Sequence, residues 1–172
     1  MKILVICGSR RRESLTRKLT DMAFEYAKEK YKDVSYIDVG KSDLEPFRGF
    51  DERYSKTTTD AVKLVESSDV FIIGSPVYDA LLSSGVKNLF EFVNYKVLEG
   101  KVAGFILKGS NPGSFQLVRS QLASLMHYFN VVCNPRAVFA SDADFDENGN
   151  LKNESIRERI LNLVDSTVKL KR

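Results

Sequence analysis

The stretch that decides the fold is MKILVICGSRRRESLTRKL, residues 1–19 of a 172-residue chain. Its apolar run Ile3–Cys7 predicts a buried strand that ends at Gly8. Three arginines and Ser14 follow, and a helical pattern of apolar residues begins near Leu15. Such a segment favours phosphate binding, because the first helical N–H groups are unpaired and arginine side chains add bidentate donors.

The loop after Gly8 leaves two interpretations open. In the first, its hydroxyls, its arginines and the helix start hold a phosphate. In the second, Ser14 merely caps the helix and the arginines are solvated. The loop contains neither GxGxxG nor GxxxxGK[ST], which disfavours a dinucleotide-binding Rossmann site and an ATP-binding P-loop.

The composition predicts one globular domain over residues 1–172, with 43% hydrophobic and 28% charged residues. The net charge of +3 is too balanced to indicate a nucleic-acid partner. No run approaches the roughly 18 apolar residues of a membrane helix, which argues against a membrane partner. The apolar start is also too short for a signal peptide, so we expect a cytoplasmic protein.

The residues that ligate metals are scattered along the sequence. Cys7 and Cys133 lie in apolar contexts without a CxxC or Cys/His cluster, which predicts reduced thiols rather than a zinc site. The acidic segment 142–149 fails the EF-hand pattern and is expected to be a surface turn. His127, the single histidine, is expected to have a structural or surface role. We therefore expect no metal site.

Short apolar runs alternate with helical patterns along the whole chain. The predicted strands are residues 2–7, 34–39, 70–73, 102–107 and a last strand, 131–140, interrupted at Asn134-Pro135. The predicted helices are residues 15–31, a helix capped by Thr57 or Thr58 and running to about Ser67, and residues 85–98, 115–129 and 156–170. Five strands alternating with five helices predict an α/β fold, a parallel sheet covered on both faces.

Three loops follow the first, third and fourth predicted strands, at residues 8–14, 74–84 and 108–114. Ligands of such folds lie beyond the carboxyl ends of the strands, so these loops are expected to converge on one ligand. Pro76 stiffens the second loop, and Tyr78 offers a flat face to an aromatic ligand. Gly109 lets the third loop approach a ligand closely. For both later loops, an ordinary turn is the competing interpretation.

Two motifs carry a resemblance to a known family. GSRRRESLTRKL (residues 8–19) resembles the pattern G-S-x-R-x-x-S-x-x-R/N-x-L, and SPVYDALLSSGVKNLFEFV (residues 75–93) resembles P-x-Y followed by a small-residue turn and a Lys-Asn helix. Together they resemble the NADPH-dependent FMN reductase family over roughly residues 1–140. The PVY spelling and LEGKVAGFILKGSNPGSF (residues 98–115) are similar to the branch that includes alkanesulfonate-linked FMN reductases.

The resemblance implies a flavodoxin-like three-layer sandwich, whose five-stranded parallel sheet has the order 2-1-3-4-5. It also implies an FMN site. Its phosphate ligands would be Ser9, Arg11 and Ser14, with Leu15 and Thr16 adding backbone or hydroxyl contacts. The isoalloxazine would be lined by Pro76, Val77, Tyr78 and Asp79, with Gly109 and Ser110 near the ring.

The second motif departs from the family pattern in two ways. Many members have Glu and Asn around the tyrosine, where this chain has Val77 and Asp79. An ionised aspartate accepts hydrogen bonds, so any donation to the flavin by an asparagine is lost or must come from the backbone. Ala80-Leu81-Leu82 replace the small residues that often follow the tyrosine, which predicts a more apolar pocket for the electron acceptor.

The activity implied is an NAD(P)H-dependent flavin reductase, in which hydride passes from NADPH or NADH to FMN and on to free flavin or another small acceptor. No side chain need act as acid or base. Alternatives are a quinone or azo-compound reductase with tightly bound FMN, a flavodoxin-type electron carrier, and a non-flavin phosphate-binding regulator. Arg10 and Arg12 either assist with the NADPH phosphate or are solvated.

The resemblance also implies a homodimer or homotetramer with the flavin site near the interface. Leu81, Leu82, Phe90 and Phe92 are apolar residues that suit either a contact surface or the core.

Overall fold

A parallel sheet forms the centre of the protein, for which a computed structural model describes residues 1–171. Its strands are β1 (Ile3–Cys7), β2 (Val34–Asp38), β3 (Val70–Pro76), β4 (Val102–Lys108) and β5 (Val132–Ala140). They lie in the order β2-β1-β3-β4-β5, and every neighbouring pair is parallel. The predicted number, direction and order of the strands are confirmed.

Five helices cover the two faces of the sheet. They are α1 (Leu15–Lys30), α2 (Lys56–Ser67), α3 (Ser84–Glu91), α4 (Gly113–Tyr128) and α5 (Glu154–Leu170). Leu19 of α1 and Ile160 of α5 pack in one hydrophobic cluster, whereas α2, α3 and α4 contribute Val65, Leu89 and Leu122 to the cluster on the other face. The result is the predicted three-layer sandwich.

The central strands carry the loops that matter for function. Every residue of β1 and β3 is buried, because helices cover both faces of these strands. β3 is longer than its apolar run predicts, and its last residue, Pro76, pairs in register with Lys108 at the end of β4. The ends of β1, β3 and β4 therefore lie side by side, and their loops leave the sheet at one edge.

Several helix ends differ from their predicted positions, and a side-chain cap explains the start of α2. Ser55, rather than Thr57 or Thr58, caps α2 by accepting a hydrogen bond from the Thr58 N–H at 3.2 Å. α3 ends at Glu91 rather than Leu98, and Tyr95–Leu98 form a separate 3₁₀ turn capped by Asn94. α4 begins two residues early, at Gly113. Side-chain caps such as those of Ser55 and Asn94 offer the backbone hydrogen bonds that compete with continuation of a neighbouring helix.

The predicted interruption of the last strand is present in its pairing but not in its extended backbone, because the register with β4 shifts between Cys133 and Ala137. β5 continues through Asn134-Pro135 at the edge of the sheet, where proline is tolerated. The buried Asn134 amide donates to the hydroxyls of Ser166 and Thr167 at 2.9 and 3.0 Å. The register shift on β5 lies opposite residues 103–105 of β4. Residues 1–171 contain no helix with the length and hydropathy needed to cross a membrane.

Candidate functional site

The loops that follow β1, β3 and β4 enclose a cleft of about 230 Å³. Every predicted site residue except Asp79 lines it. The lining residues are Ser9, Arg11, Glu13, Ser14, Leu15, Thr16, Pro76, Val77, Tyr78, Lys108, Gly109, Ser110 and Asp142. Asp79 lies in an adjoining shallow groove together with Arg10, Arg11, Val77 and Tyr78. The expected convergence of the three loops is therefore present in the structure.

The exit from β1 is fixed by close packing. The Gly8 N–H donates to the Gly74 carbonyl at 2.8 Å. A Cβ on Gly8 would lie 2.3 Å from a methyl group of Val86, so no larger residue fits here. The Ser83 hydroxyl donates to the Gly8 carbonyl and also caps α3 by accepting from Gly85. The first loop is thus tied to the start of α3.

The start of α1 presents hydrogen-bond donors to the cleft. Ser14 caps the helix by accepting from the Arg17 N–H at 3.2 Å, which leaves the Ser14 O–H free to donate elsewhere. The N–H groups of Leu15 and Thr16 have no protein acceptor within residues 1–171. The two interpretations of this loop are therefore compatible, because a capping serine can also contribute to an anion site.

A buried ion pair behind the loop holds its backbone in place. The Arg17 guanidinium, 9% exposed, donates to both carboxylate oxygens of Asp38, which is 6% exposed. Arg17 Nη1 also donates to the carbonyls of Arg11 and Arg12, at 3.1 and 2.8 Å. The hydrogen bonds that Arg17 donates to Asp38 raise the pKa of Arg17, against the opposing effect of burial. Arg17 therefore links the end of β2 to the arginine loop.

Sequence reasoning gave Arg17 no role. The family pattern includes this position, and Arg17 lies on the buried face of α1 beside Thr16 and Thr20. A buried arginine needs a carboxylate partner, and Asp38 at the end of an apolar strand is the signal that would have identified one.

The second loop contains a tight turn from Tyr78 to Leu81, with two central residues. The Leu81 N–H donates to the Tyr78 carbonyl at 2.7 Å, and the Tyr78 N–H returns to the Leu81 carbonyl at 3.2 Å. Asp79 and Ala80 have φ values of +50° and +60°. Both positions are left-handed, as a type I′ turn requires, at a cost of roughly 1–2 kcal/mol for a residue with a side chain.

This turn determines which backbone donors near Tyr78 remain available to a ligand. The Val77 N–H donates to the Lys108 carbonyl at 2.8 Å, and the Tyr78 N–H is used within the turn. These two amides are therefore not available to the edge of a heterocycle. The Asp79 N–H has no acceptor within the described chain, residues 1–171.

Arg11 connects the first loop to the second. Its guanidinium carbon lies 4.7 Å from the centroid of the Tyr78 ring, within the range of a cation–π contact. Arg11 forms no ion pair within residues 1–171 and borders both the cleft and the groove of Asp79. The guanidinium therefore lies against the face of the Tyr78 ring and has no carboxylate partner in the described part of the chain, so its charge is available to an anion in the cleft.

The third loop adds an ion pair that the sequence did not predict. The Lys108 ammonium donates to Asp142, which lies on a short 3₁₀ turn after β5, Asp142–Asp144. Gly109 packs so closely on the second loop that a Cβ there would lie 2.9 Å from Cβ of Val77. The acidic segment 142–149 folds on itself, with Asp144 bonded to Ser141 and Asp146 to Asn150.

The other residues singled out in the sequence lie outside the cleft. His127 is in the last turn of α4, and Phe90 and Phe92 belong to the core, so these two are not contact surface. Leu81, in contrast, is 56% exposed. No group of three or more His, Cys, Asp or Glu side chains is placed to hold a metal within residues 1–171.

Comparison with known proteins agrees with this architecture. The sequence model of the NADPH-dependent FMN reductase family matches residues 1–146. The NAD(P)H-dependent FAD/FMN reductase of Geobacillus thermodenitrificans is 28% identical over 111 residues. The match covers 64% of this chain and 60% of that relative's length. The NADH-dependent FMN reductase SfnF of Pseudomonas putida is 25% identical over 170 residues, 96% of this chain and 90% of that protein.

The fold has a close counterpart among solved structures. The apo form of an NADH:FMN oxidoreductase (EMOB) superposes with a TM-score of 0.82 at 21% identity, over 96% of this chain and 87% of that one. The sheet order and this likeness define a flavodoxin-like α/β protein. Because the family model matches residues 1–146 of 172, the chain belongs to the NADPH-dependent FMN reductase family.

The buried pair behind the arginine loop yields a stability prediction. We expect Arg17→Met to lower the free energy of unfolding by about 3–5 kcal/mol, because it leaves the Asp38 carboxylate buried without its partner. Urea unfolding followed by circular dichroism measures the change. The double variant Arg17→Met/Asp38→Leu should recover most of the loss, and a double variant as unstable as the single one would contradict this account.

Proposed function

We propose that this chain is an NAD(P)H-dependent flavin reductase that binds FMN in the cleft between its three loops. One observation carries the proposal: an anion-binding end at the start of α1 and an aromatic end at Tyr78 border the same cleft. FMN has the same two parts, a phosphate and a flat ring system. Membership of the NADPH-dependent FMN reductase family supports this assignment.

The residues that line the cleft suit the two parts of FMN. At the anion end, the unpaired N–H groups of Leu15 and Thr16, the Ser14 hydroxyl and the Arg11 guanidinium would hold the phosphate. At the other end, Pro76 and Tyr78 would flank the ring system and Gly109 would let the backbone approach it. Ser9, Val77, Asp79 and Ser110 would complete the site.

Bound FMN would supply the redox chemistry, taking a hydride from NADPH or NADH and passing two electrons to free flavin or another acceptor. The chain's own residues would orient the two ring systems and shape the charge around them. We assign no side chain as catalytic acid or base. Because Cys7 and Cys133 are free thiols, we place this activity in the cytoplasm, where thiols stay reduced.

A second acceptor class has support from one feature. Leu81 and Leu82 border a shallow, mainly apolar groove beside the Tyr78 turn. An apolar groove at this position suits a quinone-like or azo acceptor, so a reductase of such compounds with tightly bound FMN is the alternative.

Steady-state turnover tests the proposal. The purified protein, supplied with NADPH or NADH and excess FMN, should accelerate the loss of nicotinamide absorbance. Comparing FMN, FAD, riboflavin and a quinone as acceptors separates the flavin reductase from the quinone reductase. An electron carrier would bind FMN without accelerating that loss, and a protein that gains no flavin on incubation with FMN would contradict the whole assignment.

The phosphate end is tested at Arg11. We expect Arg11→Ala to weaken FMN binding by about 1.5–3 kcal/mol, roughly 10-fold to 150-fold in Kd, because a charge-assisted contact is lost. Fluorescence titration measures the affinity. The neighbouring Arg12→Ala is the matched control, since Arg12 does not line the cleft. Equal losses in the two variants, or none in Arg11→Ala, would remove Arg11 from the site.

We further propose that the chain forms a homo-oligomer through the face beside this site. Leu81 and Leu117, 56% and 55% exposed, border the apolar groove described above together with the half-buried Leu82 and Leu125, so an acceptor bound there would lie between the associated chains. Contiguous exposed apolar surface is typical of a protein contact, and the two leucines come from the Tyr78 turn and from α4.

Sedimentation equilibrium tests this interface. We expect a mass of two or four times the 19.4 kDa chain, and a shift toward the monomer in Leu117→Glu. Leu170→Glu, on α5, is the control for a charge added at another exposed leucine. A wild-type mass of one chain would contradict association. An unchanged mass in Leu117→Glu would show that the subunits do not associate through this groove.

A further inference from the structure

Lys108 is held at the floor of the cleft by its backbone and by burial. It is the last residue of β4, pairs in register with Pro76, and accepts a hydrogen bond from the Val77 N–H at 2.8 Å. Its side chain is 13% exposed, yet it lines the cleft between the second and third loops. A largely shielded lysine side chain therefore stands beside the residues that would flank the flavin ring.

The charged side chains that line the cleft are balanced. Arg11 and Lys108 contribute two positive charges, and Glu13 and Asp142 contribute two negative charges. Three of these lie in exposed positions, whereas Lys108 is nearly buried. Its partner Asp142 is 65% exposed. Charges shielded from water act more strongly on their surroundings than solvated ones, so Lys108 dominates the local field once a ligand displaces water.

The reaction proposed above changes the charge in this cleft. When oxidised FMN takes up a hydride from NAD(P)H, NAD(P)⁺ leaves, and the flavin gains two electrons and one proton, hence one negative charge. A fixed cation beside the ring stabilises the reduced form more than the oxidised form, and a fixed anion does the opposite.

We propose that Lys108 and Asp142 form a charge pair that sets the reduction potential of the flavin in this cleft. The ammonium raises the potential, and the carboxylate moderates that effect by neutralising the ammonium. This inference rests on the proposed FMN site and goes beyond it, because it assigns a tuning role to two cleft residues to which that proposal gives no part.

The pair differs from the lysine–carboxylate pairs that lie within a single helix. Lys56–Asp60 and Lys87–Glu91 are surface pairs four residues apart within one helix. Lys108–Asp142 joins the end of β4 to the turn after β5, 34 residues later. The pair therefore lies across one wall of the cleft rather than on the surface of a helix.

The experiment measures Kd for oxidised and for reduced FMN in the wild type, Lys108→Met and Asp142→Asn. We expect Lys108→Met to weaken the binding of reduced FMN about tenfold more than that of oxidised FMN. For a two-electron couple this ratio corresponds to a potential about 30 mV lower. Asp142→Asn should shift the ratio in the opposite direction. Spectroelectrochemical titration of the bound flavin measures the same potential independently.

The controls separate tuning from a structural role. Lys108→Arg keeps the charge and should retain the wild-type potential, and the surface pair variants Lys56→Met and Asp60→Asn should leave it unchanged. Shifts of the same sign in Lys108→Met and Asp142→Asn, or no shift in either, would overturn the charge pair while leaving FMN binding intact. A wild-type protein that binds no FMN would overturn the proposed function and this inference together.

Discussion

The site depends on one buried interaction, the Arg17–Asp38 ion pair. Asp38 ends β2, Arg17 lies one turn into α1, and the guanidinium also holds two carbonyls of the arginine loop. The loop between β1 and α1 has few side chains that reach the core. Without a buried donor behind it, the loop backbone would have no fixed shape, and the helix start could not present its N–H groups in one place.

The sheet register determines what that loop faces. Because Cys7 pairs with Gly74 and Pro76 pairs with Lys108, the ends of β1, β3 and β4 are fixed relative to one another within the ladder. The Ser83 hydroxyl then ties Gly8 to the start of α3. The donor groups at the start of α1 and the Tyr78 ring are therefore brought together by the strand ladder, with the Arg17 and Ser83 side chains holding the first loop against it.

Periodicity predicted the strands and helices well, since the central strands are apolar runs buried on both faces, and the family resemblance supplied the strand order. Local motifs likewise located Ser14, Arg11 and Tyr78. The pairs Arg17–Asp38 and Lys108–Asp142 were missed, because each joins residues that are distant in sequence and close only in the folded chain. Helix ends were missed where a single polar side chain, such as Ser55 or Asn94, makes a better cap than the apolar pattern indicates.

The departures around Tyr78 show what this position requires. The chain keeps a left-handed turn at Asp79 and Ala80, although neither is glycine and alanine has no side chain that compensates for the strain. Two hydrogen bonds between Tyr78 and Leu81, and the Gln121 side chain bonded to Ala80 and Leu82, hold the turn against that cost. The geometry is therefore specified by the scaffold rather than by the turn residues. These hydrogen bonds use only the backbone of Ala80, Leu81 and Leu82, so their apolar side chains shape the surface beside Tyr78 without holding the turn.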